Sequence, residues 1–215
     1  VFGAHASDCG SPVLAVLHAG GVLADSVLRN QTASAARRVF APKLAQLGRW
    51  AGAVGLQPCG GVGSSGCAHV LFSSVASLLG SPGQANYAAA NAGLDAAAAA
   101  MTSRGVPYAS VQWGAWAGGG MAAADSQTAA RVERMGMSLI QPQQGLAALQ
   151  GVLSALTAAR VPSTSGPDAV VAANPFRWPT FLRRLPAGPP ALLSHFATTA
   201  AAAGAGGSQP QALSS

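Results

Sequence analysis

The sequence predicts an α/β fold with a doubly wound parallel sheet and flanking helices. Short apolar runs alternate along the chain with longer helical segments, and this alternation favours parallel strands joined by crossover helices. Glycine, serine and other small or polar residues follow the apolar runs, where strands would end. Because ligands of such sheets bind beyond the carboxyl ends of the strands, we expect the functional residues at these points.

Four runs predict the strands. Residues 13–17 are a continuous apolar run, typical of a strand that is buried on both faces of a parallel sheet, and residues 68–72 predict a second buried strand. Residues 107–113 and 169–173 predict a third and a fourth strand. The segments that follow the first three strands should therefore carry the site: His18 to Gly21, Ser73-Ser74 and Trp113-Gly114.

Three segments between these runs predict helices. Residues 32–54 form a long helical pattern that Pro42 interrupts. Residues 84–103 are rich in alanine, which has the highest helix propensity. Residues 143–159 carry an apolar stripe at helical spacing, made of Leu146, Leu149, Val152, Leu153 and Leu156.

Length and composition limit the possible classes of protein. The chain has 215 residues, so we expect one domain over 1–196 and a flexible Ala/Gly/Ser-rich linker over 197–215. No run is long and apolar enough to predict a membrane span. The net charge of +6 is not clustered, which argues against nucleic-acid binding. Cys59 and Cys67 lack metal-ligand spacing, so we expect no metal site. Three cysteines favour a reducing, cytoplasmic location, with an organelle as the open alternative.

The glycine-rich string from Gly61 to Gly66 matches the spacing G-x-G-x-x-G. A dinucleotide-binding turn must follow a strand and open a helix. This string instead follows a loop and leads into the strand predicted at residues 68–72. We therefore interpret it as a loop and not as a dinucleotide site.

Four polar residues form the most informative pattern. Ser74 ends a predicted strand, and Tyr87 lies thirteen residues later near the start of a predicted helix. Asn91 shares one helical face with Tyr87, since the two are four residues apart. Lys43 is the only lysine in a chain with eleven arginines. Each residue also has an ordinary structural explanation. Ser74 can be a turn residue, Tyr87 a partly buried aromatic and Asn91 a surface amide, and Lys43 can be the single lysine by chance. Only their combination indicates catalysis.

The chain resembles the ketoreductase domains of modular polyketide synthases, within the short-chain dehydrogenase/reductase superfamily. The resemblance extends from about residue 11 to residue 185 and implies an incomplete Rossmann-like sheet with flanking helices. The matching segments are Leu17 to Asp25, Pro42-Lys43, Val70 to Asn91, Gln112 to Trp116 with Gly120-Met121, Gln144 to Leu149, Phe176 to Trp178 and Phe181-Leu182.

The resemblance implies that Lys43, Ser74, Tyr87 and Asn91 are a catalytic tetrad. Tyr87 would act as the general acid, and the nearby Lys43 ammonium would lower its pKa from the ordinary value near 10. Ser74 would donate a hydrogen bond to the carbonyl oxygen as negative charge develops there. Asn91 would hold Lys43 or a relay water in register.

Further roles also follow only from the resemblance. The cofactor would be NADPH, and the residues that contact it would be Ala19, Gly20, Trp113 and Gly114. Trp113 has an alternative role, which is packing in the core. Two residues would influence the configuration of the product hydroxyl, Asp25 and Leu79. Asp25 matches the last aspartate of a Leu-Asp-Asp element that marks one stereochemical class of the family, and Leu79 stands where the opposite stereochemical class carries tryptophan. Both residues favour a D-configured hydroxyl.

The sequence departs from the family at its start. The strand, glycine-rich turn and helix that open the family's nucleotide-binding half have no counterpart in these 215 residues, and His5 stands where the family has an aspartate. A pyrophosphate would then lack a helix N-terminus. We expect this chain by itself to bind NADPH weakly or not at all.

The resemblance implies NADPH-dependent reduction of a β-ketoacyl thioester to the β-hydroxyacyl form within a polyketide-synthase-like megaenzyme. The partners would be an acyl carrier protein bearing the substrate and the neighbouring megaenzyme domains, without nucleic acid or membrane. Two alternatives remain open at this stage: a non-catalytic structural remnant of such a domain, and a free-standing short-chain ketone reductase.

Overall fold

Four parallel strands form the centre of the larger of two structural units. The structure is a computed structural model that describes residues 13–53, 67–118, 126–158, 168–185 and 187–197. The larger unit comprises residues 1–114 and 143–173, and the smaller comprises 115–142 and 174–215. The glycine-rich string at 61–66, His5 and residues 198–215 of the predicted linker lie outside the described residues.

The strands are β1 (Ala15–His18), β2 (Ala68–Ser74), β3 (Tyr108–Trp113) and β4 (Val170–Ala173), and they neighbour one another in chain order. Every pairing is parallel, which confirms the predicted α/β class. Among the described residues the strand order does not reverse. The register pairs Ser74 with Trp113 and Trp113 with Ala173, so β2, β3 and β4 end at one common edge.

Four of the principal α-helices correspond to the three predicted segments, and three others were not predicted. They are α1 (Ala33–Phe40), α2 (Gln46–Ala53), α3 (Val75–Leu79), α4 (Ala85–Thr102), α5 (Ser126–Arg134), α6 (Pro142–Ala158) and α7 (Trp178–Arg183). The predicted helix over 32–54 becomes two, since α1 and α2 are separated by a π-helical turn at Ala41–Ala45.

Pro42 explains this wide turn. Proline has no N–H group, so an α-helical hydrogen bond to the carbonyl four residues earlier cannot form at this position. The chain widens instead, and the N–H of Gln46 bonds to the carbonyl of Ala41, five residues back. The turn carries Lys43 and orients its side chain into the fold.

Helix α4 packs on β2 and β3 and forms the core of the larger unit. One apolar cluster combines Leu71, Leu94, Ala98, Val106 and Tyr108. The π-helical turn approaches α4 closely at Gly93, where a Cβ would lie 2.6 Å from Cδ1 of Leu44 and would force that side chain to shift.

Two burial predictions are wrong. Strand β1 is not buried on both faces: Leu14, just before it, is 68% exposed, and Leu17 is also exposed. The reason is that β1 pairs only with β2 among the described residues, which makes it an edge strand of the described sheet. In the predicted stripe of α6, Leu156 is buried but Leu146 is 61% exposed.

The smaller unit is held by aromatic side chains. The ring of Trp178 stacks on those of Phe176 and Phe196, with centroids 4.4 and 3.9 Å apart. Gly136 has a φ of +83°, and a Cβ there would lie 2.5 Å from the backbone nitrogen of Phe181. In neither unit is any described helix long and apolar enough to cross a membrane.

Candidate active site

The four residues of the predicted tetrad lie close together in the larger unit. They come from three places in the fold: the π-helical turn, the end of β2 and the first turns of α4. The Nζ atom of Lys43 lies 5.3 Å from the centroid of the Tyr87 ring. Ser74 and Asn91 lie beside the Tyr87 phenol, where both lower its pKa.

Lys43 is the most unusual member, because its amine is buried. Only 3% of the residue is exposed, and Nζ donates a 3.0 Å hydrogen bond to the carbonyl of Phe72 in β2. Burial lowers the pKa of Lys43 from 10.5 to about 8, while the negative charge of Asp95 opposes this fall. The ammonium is therefore poised to lose its proton in mildly alkaline solution.

Tyr87 lies in the first turn of α4, which Asn86 fixes. The side-chain oxygen of Asn86 accepts a 2.7 Å hydrogen bond from the Tyr87 N–H, and its Nδ2 donates to the carbonyl of Ala24. Burial raises the pKa of the Tyr87 phenol, hydrogen bonding with Asn91 and Ser74 lowers it, and the charge of Asp25 raises it further. The phenol is therefore protonated near neutral pH and can act as an acid. The prediction that Lys43 lowers this pKa below the ordinary value is wrong for the structure, because burial outweighs the lowering influences and leaves the pKa raised.

Ser74 and Asn91 flank the phenol. Ser74 is the last residue of β2, and its hydroxyl accepts a 3.2 Å hydrogen bond from the N–H of Ala76 at the start of α3. Asn91 is completely buried one turn after Tyr87, and its Nδ2 donates to the Tyr87 carbonyl at 2.9 Å. Its Oδ1 accepts no hydrogen bond from the described residues, so it is available to a water or an ammonium.

The residues predicted to contact a cofactor lie at the carboxyl ends of β1 and β3. Ala19 and Gly20 are exposed directly after β1, and a Cβ at Gly20 would lie 3.2 Å from the carbonyl of Pro42. Trp113 ends β3 and is buried, with its ring 5.5 Å from that of Phe72, and Gly114 donates to the carbonyl of Ala173. The Gly20 backbone is thus exposed beside the π-helical turn that carries Lys43, whereas the contacts of Trp113 fit core packing.

The two predicted stereocontrol residues have different surroundings. Asp25 is exposed and accepts a 2.9 Å hydrogen bond from Nε2 of Gln84, the residue that precedes α4. The N–H of Ser26 bonds to the carbonyl of Gly83, which also ties this loop to the start of α4. Leu79 is half-buried in the last turn of α3.

Two further residues lie beside the tetrad: His18, which belongs to a segment expected to carry the site but was given no role, and Asp95, which the sequence analysis did not single out. The Nε2 of buried His18 donates a 2.9 Å hydrogen bond to the Lys43 carbonyl, and desolvation lowers the pKa of the imidazole, which favours its neutral form. Asp95 is the carboxylate whose charge acts on Lys43. Its signal in the sequence is the spacing Tyr87, Asn91, Asp95, which places all three on one helical face.

Comparisons with known proteins converge on one family. The KR domain model matches residues 3–118. A phenolphthiocerol/phthiocerol polyketide synthase protein from Mycobacterium tuberculosis is 40% identical over 148 residues, or 69% of this chain and 6% of that protein. The spectinabilin polyketide synthase system protein NorB from Streptomyces orinoci is 40% identical over 189 residues, which cover 84% of this chain and 8% of that protein.

Solved structures agree with the sequence relatives. An A-type ketoreductase from a modular polyketide synthase superposes with a TM-score of 0.75 at 31% identity, over 92% of this chain and 39% of that one. The first ketoreductase of the tylosin polyketide synthase gives 0.68 at 29% identity, over 92% and 40% of the two chains. The chain thus spans about two fifths of these structures and less than a tenth of these curated relatives.

Proposed function

This chain belongs to the ketoreductase (KR) domain family of modular polyketide synthases, and from that membership we propose that it carries the catalytic residues of a β-ketoacyl reductase. The reaction would convert a β-ketoacyl thioester to the β-hydroxyacyl thioester. The observation that carries the proposal is the buried Lys43 amine, 5.3 Å from the ring centroid of Tyr87. Ser74 and Asn91 both act on the pKa of the same phenol.

The four side chains have complementary roles in this proposal. Reduction of a ketone leaves negative charge on its oxygen, which must then receive a proton. The Ser74 hydroxyl donates a hydrogen bond to that oxygen, and the Tyr87 phenol gives it the proton. Lys43 provides a positive charge that stabilises the phenolate left behind. Asn91, with its free Oδ1, holds Lys43 or the water that returns a proton to Tyr87.

NADPH is the proposed cofactor, and when bound it supplies the hydride to the ketone carbon. Ala19 and Gly20 would lie along its ribose, and Trp113 with Gly114 would back its nicotinamide. The support for this is their position at the carboxyl ends of β1 and β3, where ligands of parallel sheets bind.

The substrate is proposed to arrive on an acyl carrier protein from the neighbouring domains of a megaenzyme, since the matched relatives are polyketide synthase proteins. Asp25 is well placed to influence how it enters, because Gln84 ties it to the start of α4, three residues before Tyr87. Together with Leu79 it favours the D-configured product. A structural remnant and a free-standing ketone reductase are the alternatives that the experiment separates.

Tyr87→Phe tests the proposal in the full-length gene product. The change removes only the phenolic oxygen, so we expect the rate of β-ketoacyl thioester reduction, followed by NADPH absorbance, to fall by about 10²- to 10⁴-fold. Tyr108→Phe is the matched control, because it alters the only other tyrosine, which lies in the core with its ring stacked on His69.

Three results would contradict the proposal. Unchanged turnover by the Tyr87→Phe variant would show that the phenol is not the acid. A folded wild-type protein without turnover would favour the structural remnant. Faster reduction of a simple soluble ketone than of the carrier-bound thioester would favour the free-standing reductase.

A further inference from the structure

A network of side-chain hydrogen bonds attaches the short helix α3 to α4 and β3. At its centre is the hydroxyl of Ser77 in α3, which donates to Oδ2 of Asp95 in α4 at 2.7 Å and accepts from Nε2 of Gln112 in β3 at 3.1 Å. The same Nε2 donates to Oδ2 of Asp95 at 2.8 Å, and the Ser110 hydroxyl in β3 donates to Oδ1 at 2.6 Å. Because three donors from two elements hold the carboxylate, it is a fixed and charged acceptor for Ser77.

Ser77 also reaches back to Ser74, the member of the tetrad that precedes α3. Its hydroxyl lies 2.8 Å from the carbonyl of Ser74, so one hydroxyl hydrogen is shared between this carbonyl and the Asp95 carboxylate. Ser74 is the N-cap of α3, and its own hydroxyl accepts a 3.2 Å hydrogen bond from the N–H of Ala76. The cap bond uses a lone pair of the Ser74 oxygen and leaves its hydrogen for donation. Helix α3 therefore holds Ser74 at both its carbonyl and its hydroxyl.

Helix α3 cannot hold this position by itself. It has five residues, too few for its backbone hydrogen bonds to make it stable alone. Of these five residues only Ala76 is buried, and Leu78 is 38% exposed, so apolar packing fixes the helix weakly. The hydrogen bonds of Ser77 with α4 and β3 are therefore a main attachment of α3 to the rest of the larger unit.

We propose that Ser77, held by Asp95 and Gln112, is a positioning residue that sets the place and direction of the Ser74 hydroxyl. The role deepens the proposed function, since it rests on hydrogen-bond donation by Ser74 to the ketone oxygen. A donor to a developing oxyanion must be correctly placed in advance, and a misplacement of about 1 Å can lower a rate by about 10²-fold. Ser77 acts through Ser74 and does not touch the substrate.

A double-mutant cycle in the full-length gene product tests the path from Ser77 to Ser74. Ser77→Ala should lower kcat for β-ketoacyl thioester reduction by about 10-fold and change KM by less than about twofold, because the lost alignment matters in the transition state. In the Ser74→Ala background no hydroxyl remains to be positioned, so adding Ser77→Ala should lower kcat by less than about twofold more. Ser77→Ala leaves Gln112 bonded to Asp95, and we expect it to fold.

A matched control and a conservative rescue accompany the cycle. Ser103→Ala removes an exposed hydroxyl that also donates to the carbonyl three residues earlier, and it should leave kcat unchanged. Asp95→Asn keeps an oxygen that can accept from Ser77 and Gln112, while its amide can face the Ser110 hydroxyl, which rotates to accept. Asp95→Asn should therefore retain most of kcat, whereas Asp95→Ala should lose as much as Ser77→Ala.

Amide hydrogen exchange gives a readout without turnover. Followed by mass spectrometry in the full-length gene product, the peptide that covers α3 should exchange faster in Ser77→Ala than in the wild type, by about 10-fold or more. The peptide that covers the buried part of α4 should exchange equally in both. If circular dichroism shows that Ser77→Ala is unfolded, Ser77→Cys replaces it, since a thiol is a weaker donor.

Each outcome decides the proposal. A fall in kcat that disappears in the Ser74→Ala background, with faster exchange in α3, supports it. An equal fall in both backgrounds, an unchanged kcat, unchanged exchange in α3 or the failure of both Ser77 variants to fold would overturn it. If Tyr87→Phe and Ser74→Ala lower turnover but Ser77→Ala does not, only this inference fails, whereas unchanged turnover in Tyr87→Phe removes the proposed function as well.

Discussion

Replacement of Lys43 by methionine should stabilise the fold near neutral pH. The amine is buried, and its pKa falls from 10.5 to about 8 on folding. Below pH 8 the group is charged in both the folded and the unfolded chain, so folding bears the full cost of placing an ammonium in a dry site. Methionine has a similar length, carries no charge and adapts well to irregular core space.

The magnitude follows from the displaced pKa. A fall from 10.5 to about 8 corresponds to about 3 kcal/mol of unfavourable free energy at pH 7. The variant loses the hydrogen bond from Nζ to the Phe72 carbonyl, which offsets about 1 kcal/mol. We therefore expect Lys43→Met to raise the free energy of unfolding by about 2 kcal/mol at pH 7.

The pH dependence has a definite sign. Between about pH 8 and pH 10.5 the unfolded chain holds the lysine proton more tightly than the folded chain, so wild-type stability rises with pH. The advantage of the methionine variant should shrink across this window and vanish near its upper end. Urea unfolding of both chains, followed by circular dichroism at pH 7 and about pH 10, measures the difference.

A matched control is Arg38→Met, which removes an exposed positive charge from α1 and should change stability by less than about 0.5 kcal/mol. The reasoning fails if Lys43→Met is less stable than the wild type at pH 7. It also fails if the difference between the two chains stays constant from pH 7 to pH 10.

Two further substitutions test the site and the smaller unit. Ser74→Ala should lower the rate of β-ketoacyl reduction in the full-length gene product by about 10²-fold or more, because one hydrogen-bond donor to the developing oxyanion is lost. Steady-state kinetics measures the rate, and an unchanged circular dichroism spectrum shows that the fold is retained. An unchanged kcat would exclude this role of Ser74. Gly136→Ala should lower the free energy of unfolding by about 2 to 4 kcal/mol, because it forces φ of +83° on alanine and sets a methyl group 2.5 Å from the Phe181 nitrogen. Urea unfolding measures this loss. The control is Gly151→Ala in α6, which should stabilise the chain slightly because nothing lies within 4 Å of the new Cβ. Equal changes in the free energy of unfolding for the two variants would contradict the argument.

The sequence was sufficient to predict the sheet but not its edges. Largely apolar segments such as residues 68–72 locate strands because a strand in a parallel sheet needs apolar side chains on both faces. They do not reveal which strands lie side by side, and so Leu14 and Leu17 were expected to be buried. Helix α3 is five residues long, too short for a helical period to be visible.

The candidate site was predictable where residue type and spacing carried chemistry. The solitary Lys43, the pair Tyr87 and Asn91, and Ser74 at a strand end were all identified, and the structure brings them together. Asp95 was missed because a carboxylate on an alanine-rich helix resembles an ordinary surface residue until its three donors are seen. Pro42 indicated an irregular helix, but not the π-helical form of the turn.

The turn at Ala41–Ala45 also determines the direction in which the Lys43 side chain points from the helix axis. An α-helix advances about 100° per residue, so deletion of Ala41 or Pro42 would move Lys43 around the helical circumference by about that angle. The amine would then leave the Tyr87 ring even if every other residue were retained. Length in this segment is thus as strictly constrained as composition, and single-residue insertions or deletions there should be more damaging than most substitutions.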